Sequence, residues 1–124
     1  MAKIEMSRVE TLHYENLIND NKYPILTAAR ELNSGAGALK RGTALQVNAD
    51  GATLEKMTNG GTASAILAED AAEGGGVAVV YLTGQFNRQK VDEITGITLT
   101  DADVEKFRAL GIYLEYADTN TVSE

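Results

Sequence analysis

The chain has no cysteine and no tryptophan, one histidine, one proline, and only 6% aromatic residues. Each scarcity removes a class of function. Without thiols there is no disulfide framework and no thiolate nucleophile. A zinc site would have to be built from carboxylates and the single His13. Few aromatic faces leave little on which a sugar ring could stack. No apolar run approaches the roughly 20 residues of a membrane-spanning helix. The N-terminus lacks the apolar stretch of a secretory signal, so synthesis in a cytoplasm and no membrane partner are expected. Positive charge is also sparse: no basic cluster exceeds the pair Lys40 and Arg41, and the net charge is -7. A protein that tracks phosphates needs a basic stripe, so nucleic acid is not an expected partner.

What is present fits one folded domain. The 124 residues are 44% apolar and 23% charged, in the range of ordinary globular chains. The first 36 differ from the rest. Leu12, Tyr14, Leu17, Ile18, Tyr23, Ile25 and Leu26 are scattered among polar residues without helical period or clean alternation. Pro24 biases Tyr23 towards extended backbone. This pattern predicts an extended N-terminal arm over residues 1–36, flexible when free, followed by a single β-rich domain over residues 37–124.

From Leu39 onward the pattern is that of short strands. In "LKRGTALQV" Leu39, Thr43, Leu45 and Val47 share a face, with Gly42 marking a bulge or a close backbone approach. "NADG" and "NGG" are turns, and "ATLEK" is a return strand between them. "ASAILAED" is a third strand with Ile66 and Leu67 buried. "AAEGGG" reads as a flexible loop. "VAVVYLT" then reads as a strand apolar on both faces: Val77, Val79 and Tyr81 on one, Ala78, Val80 and Leu82 on the other. Gly84 is placed to end or bend it. One helix is expected, capped by Thr100, with Asp101 and Asp103 in its first turn. Val104, Phe107 and Leu110 form its apolar face, and Gly111 stops it. "IYLEY" closes the fold as a strand, and "ADTNTVSE" frays. The fold class is therefore mainly β, a small barrel-like domain with one short helix towards the C-terminus.

None of this carries chemistry. "GALKRGT" has the glycine spacing of a phosphate loop but lacks the lysine after the second glycine. Glu69 and Asp70 are adjacent on a strand and diverge, whereas a catalytic pair must converge. Asp101 and Asp103 are explained by helix capping, and Asp92 and Glu93 by a solvated surface. Asp50 lacks the further carboxylates of an ion-binding loop. No catalytic residue, metal ligand or cofactor site is assigned, and no enzyme activity is expected.

Three pieces of the sequence, in this order and spacing, carry a resemblance: "LKRGTAL", "ILAEDA" and "VYLTGQFNR". Together they resemble the head-decoration proteins of tailed bacteriophages, the lambda head-protein-D type. "YENLINDNKYPI" is similar to that family's arm and "GIYLEYA" to its C-terminus. Ala65 stands where glycine is usual, and Gln85 where an acid is frequent. The resemblance implies a β-clip domain that forms a homotrimer on the outer surface of the virion. There it would bind the major capsid protein of an expanded head and stabilise the shell against packaged DNA. The candidate capsid-binding residues are Tyr14, Leu17, Ile18, Tyr23, Pro24 and Ile25. The motif residues with structural roles are Leu39, Lys40, Arg41, Gly42 and Thr43; Ile66, Leu67, Ala68, Glu69 and Asp70; and Tyr81, Leu82, Thr83, Gly84 and Phe86. The competing readings are a trimeric β-clip enzyme acting on a small ligand or nucleotide, and a carbohydrate-binding module on a virion surface.

Overall fold

The computed structural model describes residues 17–20 and 24–116. Its organising element is β6, Gly76–Asn87, a strand of 12 residues. One edge of β6 receives β1, Ile18–Asp20, and β2, Leu26–Leu32, both antiparallel. The other edge receives β5, Ala63–Leu67, antiparallel, and β7, Ile112–Glu115, parallel. β3, Ala44–Val47, and β4, Leu54–Lys56, form a hairpin that links β5 to β2. The path β6-β2-β4-β3-β5 returns to β6, closing a five-strand barrel.

Alternation along the strands sorts side chains into two cores. Leu32, Leu45, Leu54, Ala65, Leu67, Ala78 and Val80, drawn from all five barrel strands, pack together with Leu39. The intervening residues Ala44, Ile66 and Tyr81 point the other way, into a second core with Leu17, Met57, Phe86, Leu99, Ile112 and Leu114. Two helices cover that second core. α1, Arg88–Thr95, contributes Val91, and α2, Asp101–Leu110, contributes Phe107. Each is stopped by a glycine in the left-handed region, Gly96 and Gly111, where a side chain would be strained. Thr100 and Asp103 form a reciprocal capping box on α2.

The mainly β, barrel-like class expected from the pattern is present, with two helices among the described residues where one was expected. The helix that periodicity missed is α1. The helix that it found spans residues 101–110, but Leu110 is exposed and only Phe107 and part of Val104 face the core. Two further expectations need correction. The segment 39–47 is a strand only from Ala44; Leu39 makes an isolated bridge to Ala71, and Lys40 and Arg41 lie in a turn. β6 does not end at Gly84 but passes through it with φ 145°, changing neighbours from β2 and β5 to β1 and β7. In the glycine loop, backbone approaches closely at one point: a Cβ on Gly75 would meet the Leu32 carbonyl at 2.7 Å and the Ser34 backbone at 2.8 Å.

The largest correction concerns the boundary at residue 36. Leu17 is fully buried in the second core, and β2 pairs with β6 through seven residues. Residues 26–32 therefore belong to the domain and are not an arm. The physical reason lies in β6: a strand this long needs partners along its whole edge, and "LTAAREL" supplies them through its backbone. Its own side chains carry little signal, since only Leu32 is buried.

Candidate functional site

The three stretches that carry the resemblance meet at one place. The Leu39 and Ala71 backbones exchange hydrogen bonds of 2.9 and 2.8 Å. The Arg41 amide donates to the Asp70 carboxylate at 2.8 Å, and the Arg41 guanidinium donates to the Tyr81 hydroxyl at 2.6 Å. The Gly42 amide donates to the Leu67 carbonyl at 2.8 Å, and the Leu67 amide to the Thr43 carbonyl at 2.9 Å. The Thr43 hydroxyl donates to the Lys40 carbonyl at 2.7 Å, tightening the turn. The Glu69 carboxylate accepts the Val79 amide at 3.0 Å, tying the strand end to β6. Gly42, with φ 102°, sits where a Cβ would press on Ile94 and Leu17. Glycine is required there both for the turn and for the close approach, as its place in a strand-like run suggested. Ile66, Leu67 and Phe86 are fully buried, Ala68, Leu82 and Thr83 half-buried, and the Tyr81 and Phe86 rings lie 5.2 Å apart.

Above this clasp runs an open groove of about 630 Å³, lined by Leu17, Lys40, Arg41, Ala68, Glu69, Asp70, Lys90 and Ile94. Its two acids each hold a backbone amide: Asp70 accepts from Arg41, and Glu69 from Val79 of β6. No group of three or more His, Asp or Glu among the described residues is arranged to hold a metal ion.

Three further acids, Asp103, Asp50 and Asp92, are tied to backbone. Burial opposes ionisation of Asp103, but hydrogen bonds from Asn59, Gly60 and Thr100 outweigh it and hold the carboxyl below its ordinary value. Asp50 is likewise held low, by the Ala52 and Thr53 amides that close its turn. Burial raises Asp92, partly offset by the Leu99 amide. Asp101 is exposed and reaches Arg88 at 3.4 Å. Asp50, Asp92 and Asp103 thus each order a turn or a helix end.

The expected arm residues scatter. Tyr14, Tyr23 and His13 lie outside the described residues. Leu17 is core and Ile18 is packed against it, so neither is free to anchor to a partner as the arm reading expected. Pro24 is exposed, its carbonyl accepting the Thr83 hydroxyl at 2.9 Å, and Ile25 is partly exposed beside it.

A feature the pattern did not single out is an apolar surface. β6 was read as covered on both faces, yet Val77 is 74% exposed and Val79 38%. The covering helices reach only the Tyr81–Phe86 part of that face. The signal was the apolar run itself, which does not say how much of it a single chain can cover.

No family model matches this chain, and no curated protein matches it.

Proposed function

We propose that this chain is a capsid decoration protein. It joins the outside of an expanded bacteriophage head as a homotrimer, contacts the major capsid protein and braces the shell against the pressure of packaged DNA. One observation carries the reading: three stretches far apart in sequence meet around Arg41, which bonds to Asp70 on one side and Tyr81 on the other. Short motifs matched by chance have no reason to meet in space. Their meeting point holds packing and backbone hydrogen bonds in place of reacting groups, which suits a protein that works by contact area alone. The reading needs no metal, cofactor, nucleic acid or membrane.

The shell-binding arm is shorter than the pattern suggested. It comprises the residues before Leu17, with Tyr14, together with the exposed Pro24 and Ile25 and the neighbouring Tyr23. Such a segment suits strand addition, in which backbone hydrogen bonds supply affinity and alternate side chains enter pockets. The test is to mix the purified protein with expanded, undecorated heads. Saturable binding and shells harder to disrupt are expected. Removing residues 1–16 should abolish binding while the domain stays folded. Failure of the full chain to bind overturns the decoration reading; unchanged binding by the shortened chain overturns the role of the arm.

A further inference from the structure

The turn between β4 and β5 contains Asn59 and Gly60, the only Asn-Gly pair in the chain. Such a pair can modify itself. The backbone nitrogen of the second residue attacks the side-chain carbonyl carbon of the asparagine, and glycine, having no Cβ, does not hinder the approach. The bond from that carbon to the side-chain nitrogen breaks, and the nitrogen leaves as ammonia, taking up a proton as the backbone nitrogen gives one up. Water then opens the cyclic imide at either carbonyl, leaving aspartate or isoaspartate. One water is consumed and one ammonia released, with no oxidant or reductant. Asn59 and Gly60 are both exposed, so water reaches them.

In the folded chain one carboxylate holds both reacting nitrogens. The Gly60 amide, the attacking group, donates to Asp103 Oδ1 at 3.1 Å. The Asn59 side-chain amide, the leaving group, donates to Asp103 Oδ2 at 2.9 Å and to the Thr98 carbonyl at 3.1 Å. Attack requires the Gly60 nitrogen to lose its proton, and a carboxylate this close opposes the negative charge that develops there. Asp103 cannot follow the turn outward. It is only 1% exposed and is fixed in the capping box with Thr100. The turn is tied down beside it: the Gly61 amide donates to the Thr58 carbonyl at 3.0 Å, and Lys106 Nζ to the Gly61 carbonyl at 3.1 Å.

The product does not fit where the amide did. A carboxylate at position 59 has no hydrogen to offer Asp103 Oδ2 or the Thr98 carbonyl, so acceptor would face acceptor and two like charges would meet.

We propose that Asn59 and Gly60 form a self-modification site held unreacted by Asp103. Conversion to aspartate or isoaspartate takes place when the turn leaves the start of α2, and the new carboxylate then keeps the turn from settling back. The chain so carries a one-way chemical record of having opened at this point. This goes beyond the decoration reading and involves no capsid.

The test is to incubate the full chain at neutral pH, well below its melting temperature, and to follow residue 59 by peptide mapping with mass spectrometry. A synthetic peptide spanning residues 55–65 is incubated alongside. The native chain should convert at least about tenfold more slowly than the peptide, since reaction through a rarely opened form scales with its population. Asp103→Ala should convert several-fold faster than the native chain while circular dichroism shows it folded. Asp103→Asn, which keeps one acceptor oxygen, takes its place if alanine unfolds the protein. Tyr81→Phe, which weakens the fold away from this turn, should convert at the native rate. Asn59→Asp, the product made directly, should melt at a lower temperature than the native chain. A native chain that converts as fast as the peptide, Asp103 variants no faster than native, an equal acceleration in Tyr81→Phe, or an Asn59→Asp chain that melts as the native one does would each overturn the proposal. None of these measurements uses heads, so their failure leaves the decoration reading standing, and failure to bind heads leaves this site standing.

Discussion

The Arg41 guanidinium donates to the Tyr81 hydroxyl at 2.6 Å, while its Cζ lies 5.6 Å from the centre of the same ring. One side chain thus joins the turn after Leu39 to the middle of β6. Tyr81→Phe keeps the ring and removes only the acceptor, so a loss of about 1–2 kcal/mol is expected. Arg41→Ala should lose at least as much, because the contact over the ring goes too. Urea unfolding of the two variants and their double mutant measures the coupling; additive effects would show that the pair does not act as a unit.

Leu17 separates arm from domain. Leu17→Ala leaves a cavity in the second core beside Gly42 and should cost about 2–5 kcal/mol. Deleting residues 1–16 should leave the melting temperature nearly unchanged, whereas deleting 1–20 should lower it sharply. Equal melting of the two shortened chains would place Leu17 and β1 outside the cooperative fold.

Neighbouring glycines in the loop before β6 should respond differently. Both have positive φ, so alanine strains either one by about 1–2 kcal/mol. A Cβ on Gly74 meets nothing within 4 Å, while one on Gly75 meets backbone atoms at 2.7 to 2.9 Å that cannot step aside as a side chain would. Gly75→Ala is therefore expected to be clearly more destabilising than Gly74→Ala in thermal melts. Matching losses would mean that conformational strain, and not the close approach, governs this loop.

Asp103 predicts an acid-labile region at the start of α2. Its carboxyl titrates below the ordinary 3.8 in the folded chain, so the stability it adds is complete above that pH and is lost as the pH falls through the folded value. Asp92, raised by burial, acts in the opposite sense: its contribution is complete below 3.8 and fades as the pH rises through its folded value. Asp103→Asn should lower stability at neutral pH by about 1–3 kcal/mol, and the gap to the native chain should close on acidification. Unfolding free energies measured across the acid range test this; a constant gap would mean that the charge of Asp103 is not what the Asn59, Gly60 and Thr100 donors recognise.

How much of this was legible depended on where each element keeps its information. Helix α2 announced itself through Thr100, Asp103 and Gly111, since caps are local chemistry. β6 did so through an unbroken apolar run, and the hairpin through its Asp-Gly turn. Helix α1 was hidden because only Val91 and Thr95 are fully buried in it; Asn87 before it and Gly96 after it are its cap signals, but Asn87 is also the last residue of a strand. β2 was hidden because pairing, not side-chain burial, places it. At the site, the meeting of Arg41, Asp70 and Tyr81 depends on the path of the barrel and not on spacing. The bare end of β6 was illegible for a different reason: hydrophobicity records that a surface wants cover and not who provides it.

The passage of β6 through both cores has a mechanical consequence. Val80 and Tyr81 are successive residues of one strand, yet each anchors a different cluster. Peeling that strand away would open both sides of the molecule at once, so neither half can melt as a separate unit. Load applied at one end is carried through a shared spine, and the domain should yield in a single step when it yields at all.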